Sequence, residues 1–180
     1  MAKLKSLGIR AASKNLAEYF NSFATPQEFY INCYRGDYLL WVFANTNPGD
    51  IRLLTSAKGH CANTIRHLMT DKRSIAAVDA AIAFGDGKIT VEELRIAAEA
   101  AFHATDAMYN AVVNSLTNIR AAEAAYNAAA NNVDDVKKRA WQAYDAVNYT
   151  IFAPDTPIME SKQITADICR KHLPLEYWDF

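Results

Sequence analysis

From Thr90 to Ala130 apolar positions recur at helical spacing, with no Gly or Pro among them. Val91, Ala98, Thr105, Val112, Ile119 and Tyr126 repeat every seven residues, and Phe102, Tyr109 and Leu116 form a second row beside them. Two such rows make one apolar stripe on a helix. The positions between are rich in Ala, Glu, Arg and Leu, the strongest helix formers. Thr90 and Glu93 have the spacing of a capping box, in which each side chain meets the other's backbone N–H. The pattern predicts one helix from about Thr90 to Ala130, roughly 60 Å long. Its alanines let neighbouring helices approach to about 8 Å. Because each alanine buries little area, Phe102, Tyr109, Leu116, Ile119 and Tyr126 are expected to supply most of the hydrophobic gain. Asn131-Asn132 interrupts the pattern, and Asp134 and Asp135 are placed to cap an antiparallel return helix to Phe152.

Elsewhere the same periodicity is shorter. A first helix is expected from about Ala12 to Phe20. Thr25-Pro26-Gln27-Glu28 reads as cap, first-turn proline and box, opening a helix to about Tyr34. Gly36 is suited to a left-handed helix end and Asp37 to capping the next piece. Tyr38 to Phe43 is apolar on every side and should lie fully buried. Asn45 to Gly49 reads as a turn, with Pro48 suited to a first helical turn. Ile51, Leu54, Cys61, Ile65 and Leu68 then mark one helical face, and Arg52, Ser56, His60, Asn63 and His67 the other. Ile75, Val78 and Ile82 line a short helix, Phe84 to Lys88 is a Gly-rich turn, and a last helix runs from about Glu160 to His172. No strand-like alternation persists anywhere. The expected fold is all-α: a single-domain bundle of about seven helices around the long Ala-rich one.

Composition adds bounds. The chain has 180 residues, of which 51% are hydrophobic and 22% charged, which suits one globular domain. A formal net charge of -1 and the lack of a dense basic run give no case for nucleic acid. Lys137-Lys138-Arg139 after Asp134-Asp135 reads as paired charges on an exposed turn. Cys33, Cys61 and Cys169 are odd in number, widely spaced and set among apolar neighbours, as reduced cytosolic thiols are. No run of about 20 apolar residues spans a membrane, and the N-terminal stretch lacks the apolar core of a signal peptide. The chain is expected in a cytoplasm.

Candidate chemistry is thin. Arg35-Gly36-Asp37 matches an adhesion tripeptide by accident in such a context. Gly85 to Glu93 resembles the back half of a calcium loop, but Ile82 and Phe84 would stand where the first oxygen ligands are needed. His60 and His67 lie about 10 Å apart along a helix, too far for one metal. Cys169 and His172 make at most half a zinc site, with Cys33 and Cys61 as distant candidates. Glu99 and His103 lack the Glu-x-x-His partners of a di-iron bundle. There is no GxSxG, HExxH or P-loop. No cofactor, metal or catalytic residue is assigned.

Cys33-Tyr34-Arg35-Gly36-Asp37-Tyr38-Leu39-Leu40-Trp41-Val42, Ile89-Thr90-Val91-Glu92-Glu93-Leu94-Arg95 and Ala166-Asp167-Ile168-Cys169-Arg170-Lys171-His172-Leu173-Pro174 stand in this order along the chain. Together they resemble a family of alanine-rich, all-helical proteins of bacterial and phage genomes, labelled immunity proteins of polymorphic toxin systems. The resemblance spans roughly Cys33 to Pro174. The central helix departs from it in being less alanine-dense, with more Asn and Tyr. The resemblance implies a small cytosolic binder that occludes a protein target by contact, with no catalytic residues to carry over. The target would be a toxin domain in a bacterium, or a host defence protein such as a CRISPR effector if the chain is phage-encoded. A helical enzyme or metal protein using the Cys and His groups, and a structural phage protein, remain as rivals. Two surfaces present themselves as contact sites: the polar face with Arg52, His60, Asn63, Arg66 and His67, and the tail with Glu176, Tyr177, Trp178, Asp179 and Phe180. The tail stands slightly ahead because Tyr and Trp are favoured interface anchors, although packing on the body is the commoner fate of such residues.

Overall fold

The computed structural model describes residues 4–47, 49–111, 115–131, 135–153 and 157–180. Pro48, Val112, Asn132 and Asp134, all with expected roles above, lie outside the described residues. Among the described residues the chain is all-helical, with nine α-helices rather than seven: α1 Lys14–Asn21, α2 Pro26–Asn32, α3 Gly36–Thr46, α4 Ile51–Asn63, α5 Lys72–Gly85, α6 Val91–Asn110, α7 Leu116–Ala129, α8 Val136–Phe152 and α9 Ile158–His172. Short 3-10 turns cover Leu4–Leu7, Arg66–Leu68 and Leu175–Tyr177. No described helix is long and apolar enough to cross a membrane.

The expected 60 Å rod is two helices, α6 and α7, which pack on one another. α6 ends with Ala111 in extended backbone, and Ser115 starts α7 with its hydroxyl accepting from the Asn118 N–H. Four further starts are set by short polar side chains, whereas α3, α4 and α9 begin without a side-chain cap. Ser13, Thr25, Asp71 and Asp135 accept from backbone N–H groups in the first turns of α1, α2, α5 and α8. Thr90 and Glu93 close the expected capping box. Three local expectations differ. The Glu28 carboxylate reaches the N–H of Ala24 rather than of Thr25. Gly36 lies inside α3 with an ordinary helical backbone, the only positive-φ glycines being Gly8 and Gly87 among the described residues. Asp37 caps nothing and instead takes both ends of the Arg35 guanidinium.

The interior has two sectors. The first gathers α1, α2, α3, the start of α4, much of α8 and the end of α9, and is built from large side chains such as Leu16, Phe20, Phe29, Leu39, Leu40, Phe43 and Ile151. Tyr38 to Phe43 is buried throughout, as expected. The second gathers α5, α6 and α7 around Ala77, Ala81, Ala98, Ala101, Ala121, Ala124, Ala125 and Ala128, with Val78, Phe84 and Leu94 filling the gaps. Contacts this small require close backbones. Gly59 of α4 and Gly85 of α5 allow it: a Cβ on Gly85 would sit 2.4 Å from the Cβ of Ser56.

The apolar rows of α6 and α7 are not buried as read. Phe102 is 50% exposed, Tyr109 59% and Leu116 60%, so the alanines and not the aromatics carry this core. Ser56 and Arg139, expected on polar faces, are buried.

Candidate functional site

The polar face read on α4 does not form one surface. Arg52 is exposed, yet its guanidinium donates to the Phe84 carbonyl and covers the Phe84 ring at 4.3 Å. His60 is half-buried and stacks on His172 of α9, with centroids 3.9 Å apart and planes at 16°. Burial lowers both imidazoles below their ordinary value, which favours the neutral form of each. Arg66 and His67 are not on α4 but on the 3-10 turn after it, where Arg66 is held bidentate by Asp79 of α5. Asn63 and His67 are exposed.

The tail turns inward. Trp178 is 7% exposed, lies edge-on to Tyr30 and Phe43, and donates its indole N–H to the Leu173 carbonyl at 2.9 Å. Asn47 donates to the Tyr177 carbonyl at 2.5 Å. Phe180 packs against Trp178, while Glu176, Tyr177 and Asp179 face water. The anchor expected for a partner is therefore part of this protein's own core.

The sulfur and histidine chemistry closes off in the same way. Cys61 and Cys169 bring their thiols to 3.9 Å in full burial, and both also face carbonyl oxygens. Burial pushes the Cys33 thiol up to about 12 and the Cys169 thiol well above its ordinary value, so neither offers a thiolate near neutrality. Among the described residues no group of three or more His, Cys, Asp or Glu is placed to hold a metal ion. Of the two carboxylates at ligand positions of the calcium-like loop, Asp86 is paired with Lys88 and Glu93 is held in the capping box by Thr90. Asp37 of the Arg-Gly-Asp tripeptide is wholly buried. A cleft of about 550 Å³ opens beside the Gly8 to Ala12 segment, but Trp41 at its wall already spends its indole N–H on the Arg10 carbonyl.

A different place gathers unsatisfied chemistry. Val91, Phe102, Asp106 and Tyr109 fall on one stripe of α6, within about 60° at 100° per residue. Across from it on α7 stand Glu123 and Tyr126. Phe102 and Tyr126 have ring centroids 5.5 Å apart, and the Tyr109 hydroxyl donates to Glu123 Oε1 at 3.0 Å. These side chains, with Thr105, enclose a recess of about 100 Å³. Partial burial raises the Glu123 carboxyl, against the lowering effect of the Tyr109 hydrogen bond. Burial and the nearby Glu123 charge push the Tyr109 phenol up to about 12. Asp145 on α8 is pushed up to about 6 by burial and by Glu123. Arg95, on the same stripe of α6, is occupied by Glu92 and Glu99. Negative charge and aromatic faces thus meet here, and among the described residues no cation is paired with Glu123.

Phe102, Tyr109 and Tyr126 have the spacing of core residues in the sequence, which hides this site there. The available signal was the change of composition near Ser115, where two Val stand between two Asn and interrupt the helix formers. No family model matches the chain, and neither a curated protein nor a solved structure matches it.

Proposed function

We propose that the chain is a non-enzymatic, protein-binding inhibitor of the toxin-immunity kind, acting by covering the working surface of a target. The observation that carries this reading is the exposed stripe of Val91, Phe102 and Tyr109 on α6, continued by Leu116 at the start of α7. Large apolar and aromatic side chains on rigid helices lose little conformational freedom on contact, and Tyr and Phe are enriched in the cores of interfaces. The helical scaffold and the resemblance to immunity proteins support the same reading. The target is a toxin domain, or a host defence protein if the chain is phage-borne. The contact surface proposed is the α6–α7 face, in place of the tail.

The test is capture from host lysate by the wild-type chain and by a Phe102→Ser/Tyr109→Ser variant, followed by assay of the captured protein's own activity with each. The expected result is stoichiometric inhibition by the wild type and loss of both capture and inhibition in the variant, with unchanged melting. Equal capture and inhibition by the two chains overturns the assignment of this face.

A further inference from the structure

We propose that the recess between α6 and α7, walled by Phe102, Tyr109 and Tyr126 and edged by Asp106 and Glu123, receives one basic side chain, lysine or arginine, from the partner protein. This deepens the inhibitor reading and rests on the α6–α7 face being the contact surface. A cation over an aromatic face is attracted by the ring quadrupole, and the attraction grows as water is excluded. Here rings come from two helices, with Phe102 and Tyr126 5.5 Å apart. The recess holds about 100 Å³, the scale of one side-chain head and not of a whole small molecule.

Charge complementarity selects the occupant. Asp106 and Glu123 line the recess, and Asp145 lies close enough to Glu123 for the Glu123 charge, after burial, to raise the cost of ionising it. Among the described residues the Glu123 carboxylate has a phenol for a partner and no paired cation. Partial desolvation of a carboxylate without a counter-charge is unfavourable, and a guest ammonium or guanidinium supplies that counter-charge. An anionic guest meets a field of its own sign and is repelled. An apolar guest fits the rings but leaves Glu123 further desolvated.

The experiment is an NMR titration of the wild-type chain with capped Gly-Lys-Gly, Gly-Arg-Gly, Gly-norleucine-Gly and Gly-Glu-Gly. Saturable shifts confined to the Phe102, Tyr109 and Tyr126 rings with the Lys and Arg peptides, and none with the norleucine or Glu peptides, are expected. Phe102→Leu and Glu123→Gln should each weaken the Lys peptide by about fivefold, and Glu18→Gln on the exposed face of α1 should not. Thermal melts confirm that each variant is folded. Equal shifts with norleucine, or binding that survives Phe102→Leu while Glu18→Gln weakens it, reduce the effect to apolar or diffuse charge attraction and overturn the proposal. The titration needs no partner, so its failure is distinct from failure of the inhibitor reading, which the capture experiment decides.

Discussion

The Lys58 amine stands 2.6 Å from the Ala130 carbonyl oxygen and 3.2 Å from that of Asn127, with the whole lysine out of water. It caps the C-terminal end of α7 from α4, where orphan carbonyls and the negative end of the helix dipole gather. Burial, with the buried Arg139 nearby, lowers its pKa to about 7. A neutral amine still has two N–H bonds, one for each carbonyl. The folded value lies below the unfolded value of 10.5, so this group's contribution is complete above 10.5 and is lost as pH falls through about 7. Melting temperature is therefore expected to rise from pH 7 to 9, and Lys58→Met should flatten the rise. A steeper slope in the variant, measured by thermal melts across that range, contradicts the assignment.

Removal of Leu175 to Phe180 is expected to lower the melting temperature by about 10 °C, as loss of a buried indole of this size costs about 3 kcal/mol. Trp178→Ala alone should reproduce most of the change. Differential scanning calorimetry checks it. A truncated chain that melts like the full chain would return the tail to the set of free contact surfaces.

Much of the fold was legible because local chemistry and periodicity agree. Thr90 with Glu93, Thr25 with Pro26, and the all-round apolar run from Tyr38 to Phe43 each determine a start or a burial without tertiary context. The site was not legible for a physical reason. Phe102 and Tyr109 sit beside Ala98 and Thr105 on the helix, and periodicity does not say which row of a wide stripe meets the neighbour. When α7 folds back on α6, the small row makes the seam and the aromatic row is left at its edge. The same limit hid Lys58, whose partners are separated from it by 69 and 72 residues.

Gly36→Ala is expected to destabilise the protein by about 1–3 kcal/mol, the range for forcing atoms into a packed contact. A Cβ there would meet the Thr165 carbonyl carbon at 2.7 Å, where α3 crosses α9. Helix propensity alone would favour alanine by about 1 kcal/mol, so the sign of the measured change decides between packing and propensity. Gly49→Ala, which meets nothing within 4 Å, serves as the control. Denaturant melts of the two variants give the comparison.

Asp145→Asn tests the electrostatics of the α7–α8 edge. Burial, and then the Glu123 charge, raise the Asp145 carboxyl from 3.8 to about 6. A folded value above the unfolded one means that the group's contribution is present in full below 3.8 and is lost as pH rises through about 6. At pH 7 the ionised carboxylate is a liability, shared with Glu123, which is raised in the same direction. The asparagine variant is isosteric and cannot ionise. Its melting temperature should exceed that of the wild type at pH 7, and the gap should close as pH is lowered to 4. The His60–His172 pair, lowered by burial, is common to both chains, so its contribution cancels in the difference. A basic peptide in the α6–α7 recess should also narrow the gap at pH 7, because the cation relieves Glu123 and, through it, Asp145. A gap that is absent at pH 7, or that widens towards pH 4, would show that Asp145 is stabilised by its surroundings and that this edge carries no excess of negative charge.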